Sequence, residues 1–108
     1  MRKPVRQLRY LTLFYDDLEQ TMTYIADQLC NPQAALRLIN DVEAAIIDRL
    51  PIAECFEPYF SQKDRQNKYY RIYVGNYIIY YVLLYENGSI IMEMRRFLYK
   101  GKNRDVLI

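Results

Sequence analysis

The sequence predicts an α+β fold: an N-terminal strand, then an α-helical hairpin packed on a mainly antiparallel, twisted β-sheet, in the order β-α-α-β-β-β. Three observations predict it. Two apolar stripes at helical spacing run through residues 18–50. Two tight-turn signals, Gly75-Asn76 and Asn87-Gly88, divide an aromatic and β-branched stretch into three strands. A turn-poor run, Val5 to Phe14, precedes the helices. At 108 residues the chain is long enough for one domain spanning 1–108 and too short for two cores.

The elements follow in order. Residues 5–14 read as a strand, being rich in Leu, aromatic and β-branched residues. Asp16 and Asp17 then stand where acids favour a helix start. Leu18, Met22, Ile25 and Leu29 share one face of that helix, which Cys30-Asn31-Pro32 ends. Asn31 is suited to cap a second helix with Pro32 at its first position. Ala35, Leu38, Ile39, Val42, Ala45, Ile46 and Leu50 form its apolar stripe, and Pro51 stops it. So short a connection folds the helices into an antiparallel pair. Residues 52–68 have no period and read as a loop, with a polar run from Ser61 to Lys68. Strands are expected at 69–74, 77–86 and 89–98, followed by a basic tail with Lys100, Lys102 and Arg104.

The turns set a register. Val74 opposite Tyr77 places Arg71 opposite Tyr80; Glu86 opposite Ser89 places Tyr80 opposite Arg95 and Ile78 opposite Phe97. One face then holds Ile72, Val74, Tyr77, Ile79, Tyr81, Leu83, Ile90, Met92, Met94, Arg96 and Leu98, beneath the helices, with Arg96 directed at a helix carboxylate or a backbone carbonyl. The other holds Arg71, Tyr73, Ile78, Tyr80, Val82, Glu93, Arg95, Phe97 and Tyr99, and is expected to be open, basic and aromatic. Such a surface suits phosphates and stacked bases, and it equally suits a plain cross-strand Tyr–Arg ladder.

Composition limits the chemistry. The chain has no His, so a Ser-His-Asp or Cys-His nucleophile cannot be built from it, nor a His-ligated zinc. Its two cysteines, Cys30 and Cys55, make no disulfide framework and read as reduced thiols. No metal or cofactor is implied. There is no signal-like h-region and no apolar run long enough to span a membrane, so a cytoplasmic protein is expected. The net charge of +2 conceals three blocks. Residues 1–13 carry Arg2, Lys3, Arg6 and Arg9 and no acid; residues 14–57 carry nine acids against Arg37 and Arg49; residues 58–108 carry nine bases and four acids. Asp64 and Glu93 are candidate bases.

Three stretches carry a family resemblance. They are Asn31 to Ile39, the hairpin Tyr70-Arg71-Ile72-Tyr73-Val74-Gly75-Asn76-Tyr77-Ile78-Ile79-Tyr80-Tyr81, and the closing Met94-Arg95-Arg96-Phe97-Leu98-Tyr99 with Lys102-Asn103-Arg104-Asp105. Together with the element order, they resemble the RelE/ParE superfamily of type II toxin–antitoxin toxins over nearly the whole chain. The resemblance implies a toxin that inhibits growth and is neutralised by a cognate antitoxin, which covers the open face or packs on the helices. It implies one of two targets: the ribosome with its mRNA, cleaved by an mRNA interferase, or DNA gyrase, inhibited without nuclease activity. An inactive, antitoxin-binding member is a third reading, and a homodimer or a toxin–antitoxin heterotetramer is implied as the assembly. For cleavage, a 2′-hydroxyl would attack the adjacent phosphate. Arg71, Arg95 or Lys102 would stabilise the phosphorane, with Tyr73 or Tyr99 assisting proton transfer. The implied catalytic set is Arg71, Tyr73, Arg95 and Tyr99; the implied target-binding set is Tyr80, Phe97, Lys100, Lys102 and Arg104. Ile78 stands where RelE-like toxins carry a catalytic Arg.

Overall fold

The computed structural model describes residues 4–59 and 66–101. Among them the elements are β1 (Val5–Tyr10), α1 (Thr12–Thr23) running into a π-helical turn (Tyr24–Gln28), α2 (Pro32–Arg49) with a 3₁₀ turn (Leu50–Ile52), β2 (Tyr70–Val74), β3 (Tyr77–Glu86) and β4 (Ser89–Tyr99). This is the expected α+β topology. The four strands form one twisted, mixed sheet in the order β1-β4-β3-β2, with β1 parallel to β4 and the other pairs antiparallel. No described helix is long and apolar enough to cross a membrane. Arg2, Lys3, the loop with Asp64, and the tail with Lys102 and Arg104 lie outside the described residues.

The hairpin turns adopt the backbone their residues allow. Gly75 has φ of 56°, and the second turn has positive φ at both Asn87 (50°) and Gly88 (77°), the geometry that matches strand twist. Asn31 caps α2 through its Oδ1, which accepts from the Ala34 amide at 3.1 Å.

The first helix differs from the sequence expectation at both ends. The strand read over 5–14 stops at Tyr10, and the helix starts at Thr12 with no capping side chain at Leu11. Phe14 is the first core residue of the helix, one turn before Leu18, so its aromatic character signalled the wrong element. At the far end, the Leu29 amide bonds the Tyr24 carbonyl at 3.1 Å, five residues back. This wider turn shifts the helical phase and leaves Leu29 exposed instead of on the core face.

The main core lies between helices and sheet: Phe14, Val42, Ile46 and Ala53 against Ile72, Val74, Ile79, Tyr81, Met92, Met94 and Phe97. Phe97 belongs here because β4 contains a bulge. Tyr81 pairs with Met94 and Tyr80 with Arg96, so Arg95 is the extra residue. The expected partners of Ile78 and Tyr80 were Phe97 and Arg95; the observed ones are Leu98 and Arg96. Arg96 still reaches the helix, but from Phe97 onward the side chains change face. Phe97 stacks on Tyr77 at 5.0 Å on the helix side, Tyr99 meets the Tyr77 ring edge at 5.8 Å, and Leu98 turns to the opposite face.

Three polar ties hold the layers together. The Asp17 carboxylate accepts from Arg96 Nε at 2.7 Å, Arg96 Nη2 at 2.9 Å and the Phe97 amide at 3.0 Å. Arg49 donates to the Arg71 carbonyl at 3.0 Å and to the Tyr81 hydroxyl at 3.1 Å, which itself donates to the Ala53 carbonyl at 2.7 Å. Arg6 donates to both Glu54 oxygens, at 2.9 and 2.6 Å, and to the Leu50 carbonyl.

Asp17 and Arg96 are nearly enclosed, at 10% and 14% side-chain exposure. Asp17→Ala leaves a buried guanidinium unpaired and should cost about 3 kcal/mol in urea unfolding. Asp17→Asn, which retains an acceptor for the Phe97 amide, should cost less. The Arg6 hydrogen bonds, reinforced by the backbone, hold the Glu54 carboxyl below the usual carboxylate range. A lowered folded-state value gives stability that is present above the ordinary carboxylate pKa and lost as pH falls through the folded one. The urea midpoint should therefore fall on acidification from about pH 5 to about pH 3, and fall less in Glu54→Gln.

Candidate functional site

Of the residues singled out by the sequence, the face of the sheet away from the helices carries Arg71, Tyr73, Tyr80 and Arg95. Its centre is closed. Ile78, Tyr80, Val82 and Leu98 form a second apolar cluster with Tyr69, and Tyr59 and Leu84 pack against it. Tyr80 is only 1% exposed, so this face is not the open patch the alternation pattern implied. Tyr80 is a core side chain here rather than a surface one. Tyr59 and Tyr69 are joined by an isolated antiparallel bridge, which extends the sheet one step past β2.

Two polar clusters flank that closed centre. On the β2 side, Arg71 lies with its guanidinium carbon 5.2 Å from the centroid of the Tyr59 ring, a cation–π arrangement. Two residues along the same face, Tyr73 is 62% exposed. The Arg49 bond to the Arg71 carbonyl anchors the backbone at this point, and Arg49 itself lies 3.5 Å over the Phe56 ring. A strand edge with a half-buried cation and an exposed phenol is suited to gripping a phosphate or an extended acidic segment.

On the β4 side the bulge residue Arg95 pairs with Glu93, Nε to Oε1 at 2.6 Å. The second Glu93 oxygen faces Arg9 at 3.5 Å, and Arg9 also reaches Glu86 at 3.5 Å. Glu93 is buried, at 5% exposure. Its placement between two arginines satisfies the carboxylate and holds Arg95 on this face. Arg9 and Tyr59 are contributions the sequence reading missed. Arg9 is found only by knowing that β1 runs parallel beside β4 and pairs it with Glu93. Tyr59 is found only by the bridge to Tyr69.

The structure divides the four residues of the implied catalytic set. Arg71, Tyr73 and Arg95 share the second face. Tyr99, displaced by the bulge, opens on the helix side beside Tyr77 and is 50% exposed. Phe97, expected on the open face, is 1% exposed in the main core. Lys100 is exposed just past β4, its amide bonded to the Asn76 carbonyl at 2.9 Å. The phenols that burial pushes above their usual value, Tyr10, Tyr70, Tyr77 and Tyr81, all pack with the helix-side core. Among the described residues no group of three or more Cys, Asp or Glu is placed to hold a metal ion. Cys30 and Cys55 are free, exposed thiols.

No family model matches the chain, and no curated protein matches it either. What the surface can do rests on its own geometry.

The contrast between Tyr80 and Tyr73 can be measured. Tyr80→Ala should cost about 3–5 kcal/mol, as for other large aromatic core residues. Tyr73→Ala should stay within about 0.5 kcal/mol of the wild type, which makes it the clean probe of surface function. Urea unfolding of the two variants decides this.

Proposed function

We propose that this chain is a growth-inhibiting toxin of the RelE/ParE type, the partner of a cognate antitoxin in a type II toxin–antitoxin pair in the cytoplasm. The observation that carries the reading is the topology: one strand, an antiparallel helix pair and a three-strand meander, the element order on which the resemblance rests. A basic and aromatic strand edge, formed by Arg71, Tyr73 and Tyr59, supports it.

Of the two targets, DNA gyrase bound without nuclease chemistry is the reading the geometry favours. In-line attack on a phosphate needs the proton-transfer group and the charge-stabilising group converging on one reacting centre. Tyr99 opens on the opposite face of the sheet from Arg71, Tyr73 and Arg95, and Arg95 is already engaged by the buried Glu93. Ile78, where RelE-like toxins use an Arg, is a buried apolar residue in the second cluster. Cleavage of mRNA on the ribosome remains the second reading, because Arg71, Tyr73 and Arg95 do share a face; Tyr73 would then be the proton-transfer group.

Induced expression without the antitoxin should arrest growth, trigger a DNA-damage response and leave mRNA intact. Purified protein should block supercoiling by gyrase, and Arg71→Ala or Tyr73→Ala should relieve the block. Cleaved mRNA with normal supercoiling would move the assignment to the ribosome. Unimpaired growth at high expression would overturn the toxin reading altogether.

A further inference from the structure

A groove of about 740 Å³ runs between α1 and the end of the sheet, on the face opposite Arg71 and Tyr73. One wall is Leu13, Asp16, Asp17, Gln20, Thr21 and Tyr24 of the first helix and its π turn; the other is formed by Tyr77 and the last residues of β4, with Tyr99 at its mouth. It continues along the helix into a second depression of about 530 Å³ that shares Asp16, Gln20 and Tyr24 and adds Glu19 and Asp27.

Two properties set this groove apart from ordinary surface. It exposes large apolar side chains along its length: Leu13 at 47%, Tyr24 at 53% and Tyr99 at 50%. Grouped in one groove, these side chains offer apolar contact to a ligand that enters it. Its charge is also one-sided. Asp17 is neutralised by Arg96, the one cation among the described residues lining either depression. Asp16, Glu19 and Asp27 remain along the rim, and no ion pair joins them to a described residue.

We propose that this groove docks a cationic amphipathic segment of a partner protein. Apolar side chains of the segment would enter between Leu13, Tyr24 and Tyr99, and its Lys or Arg side chains would line up with Asp16, Glu19 and Asp27. The charge selects this occupant. An acidic segment would meet three carboxylates at the rim. A second copy of this chain would have to bring a basic surface to the groove, and its most basic described strand, β1, has Arg6 and Arg9 already paired with Glu54, Glu86 and Glu93. The proposal does not depend on the toxin reading. The whole chain carries a net charge of +2, so bulk electrostatics would repel the same ligand, and affinity for it must come from a local site.

The test uses two labelled peptides built from Leu with either Lys or Glu on the polar face. Each is about 15 residues long, a helix of about 22 Å that matches the Leu13–Gln28 wall. The full chain should bind the Lys peptide in an anisotropy titration and not the Glu peptide. Amide shifts should be centred on Leu13, Tyr24 and Tyr99. Charge reversal at Asp16, Glu19 and Asp27 together, and separately Tyr24→Ala, should each weaken binding at least about tenfold. These side chains are exposed, and unchanged circular dichroism would show that the variants fold. Equal affinity for both peptides, shifts centred elsewhere, or binding that survives Tyr24→Ala would overturn the proposal. So would concentration-dependent self-association that protects the same residues.

Discussion

The Asp17 carboxylate stands where the sheet would otherwise fail. β1 pairs with β4 only as far as Met94, and β4 runs on to Tyr99 with an edge that has lost its neighbour. An unsatisfied amide in a half-buried position is costly, and so is an unpaired carboxylate. Asp17 removes both costs, because the Arg96 guanidinium and the Phe97 amide converge on the same two oxygens. The arrangement requires α1 to begin directly after Leu11, so that Asp17 arrives within two turns beside the bulge. It also requires the bulge itself, which brings Phe97 to the helix side next to Arg96 while Arg95 stays with Glu93. Stacking of Phe97 on Tyr77 and the position of Tyr99 in the groove follow from it.

The other end of the helical layer is secured differently. Arg49 at the C-terminus of α2 bonds backbone and side chain of the sheet at once, and its flat guanidinium lies over Phe56. Arg6 performs the equivalent task for β1, holding Glu54 and the Leu50 carbonyl. Arg6 thereby satisfies a carbonyl at the C-terminal end of a helix, where orphan acceptors and the helix dipole favour a cation, whereas Arg49 satisfies the Arg71 carbonyl of β2. The segment 50–59 has little regular structure, yet it is tied to the sheet by Tyr81, Arg49, Arg6 and the Tyr59–Tyr69 bridge. That is how Tyr59 comes to lie under Arg71.

Much of this was legible in the residue order. The turns at Gly75-Asn76 and Asn87-Gly88, the Asn31 cap and the α2 stripe are local signals, and each stands in the structure where the residues place it. The direction of Arg96 toward a helix carboxylate also followed from alternation. What alternation could not contain was the extra residue at Arg95. A bulge leaves no compositional mark in a strand where both faces are apolar, since Phe97 and Leu98 are equally acceptable on either side. The same ambiguity hid the closure of the second face: Ile78, Tyr80 and Val82 read as a half-apolar surface and are a second core. The parallel placement of β1 beside β4, and with it Arg9 against Glu93, is a long-range fact that no local pattern encodes.

The basic β2 edge and the acidic groove lie on opposite faces, and this has a mechanical consequence. Arg71 and Tyr73 project from one side of the sheet, and the acidic groove opens on the other, with the main core and the Asp17–Arg96 pair between them. A ligand seated in the groove touches Tyr77, Tyr99 and the helix that carries Asp17, but it leaves the β2 edge uncovered. At the bulge Arg95 faces one side and Arg96 the other from consecutive positions. A partner seated in the groove alone leaves the β2 edge open. A partner that simply covers the edge needs a second segment long enough to cross from one face of the sheet to the other. The geometry of the chain thus favours, for any partner that must cover both surfaces, one that wraps it over one that caps a single site.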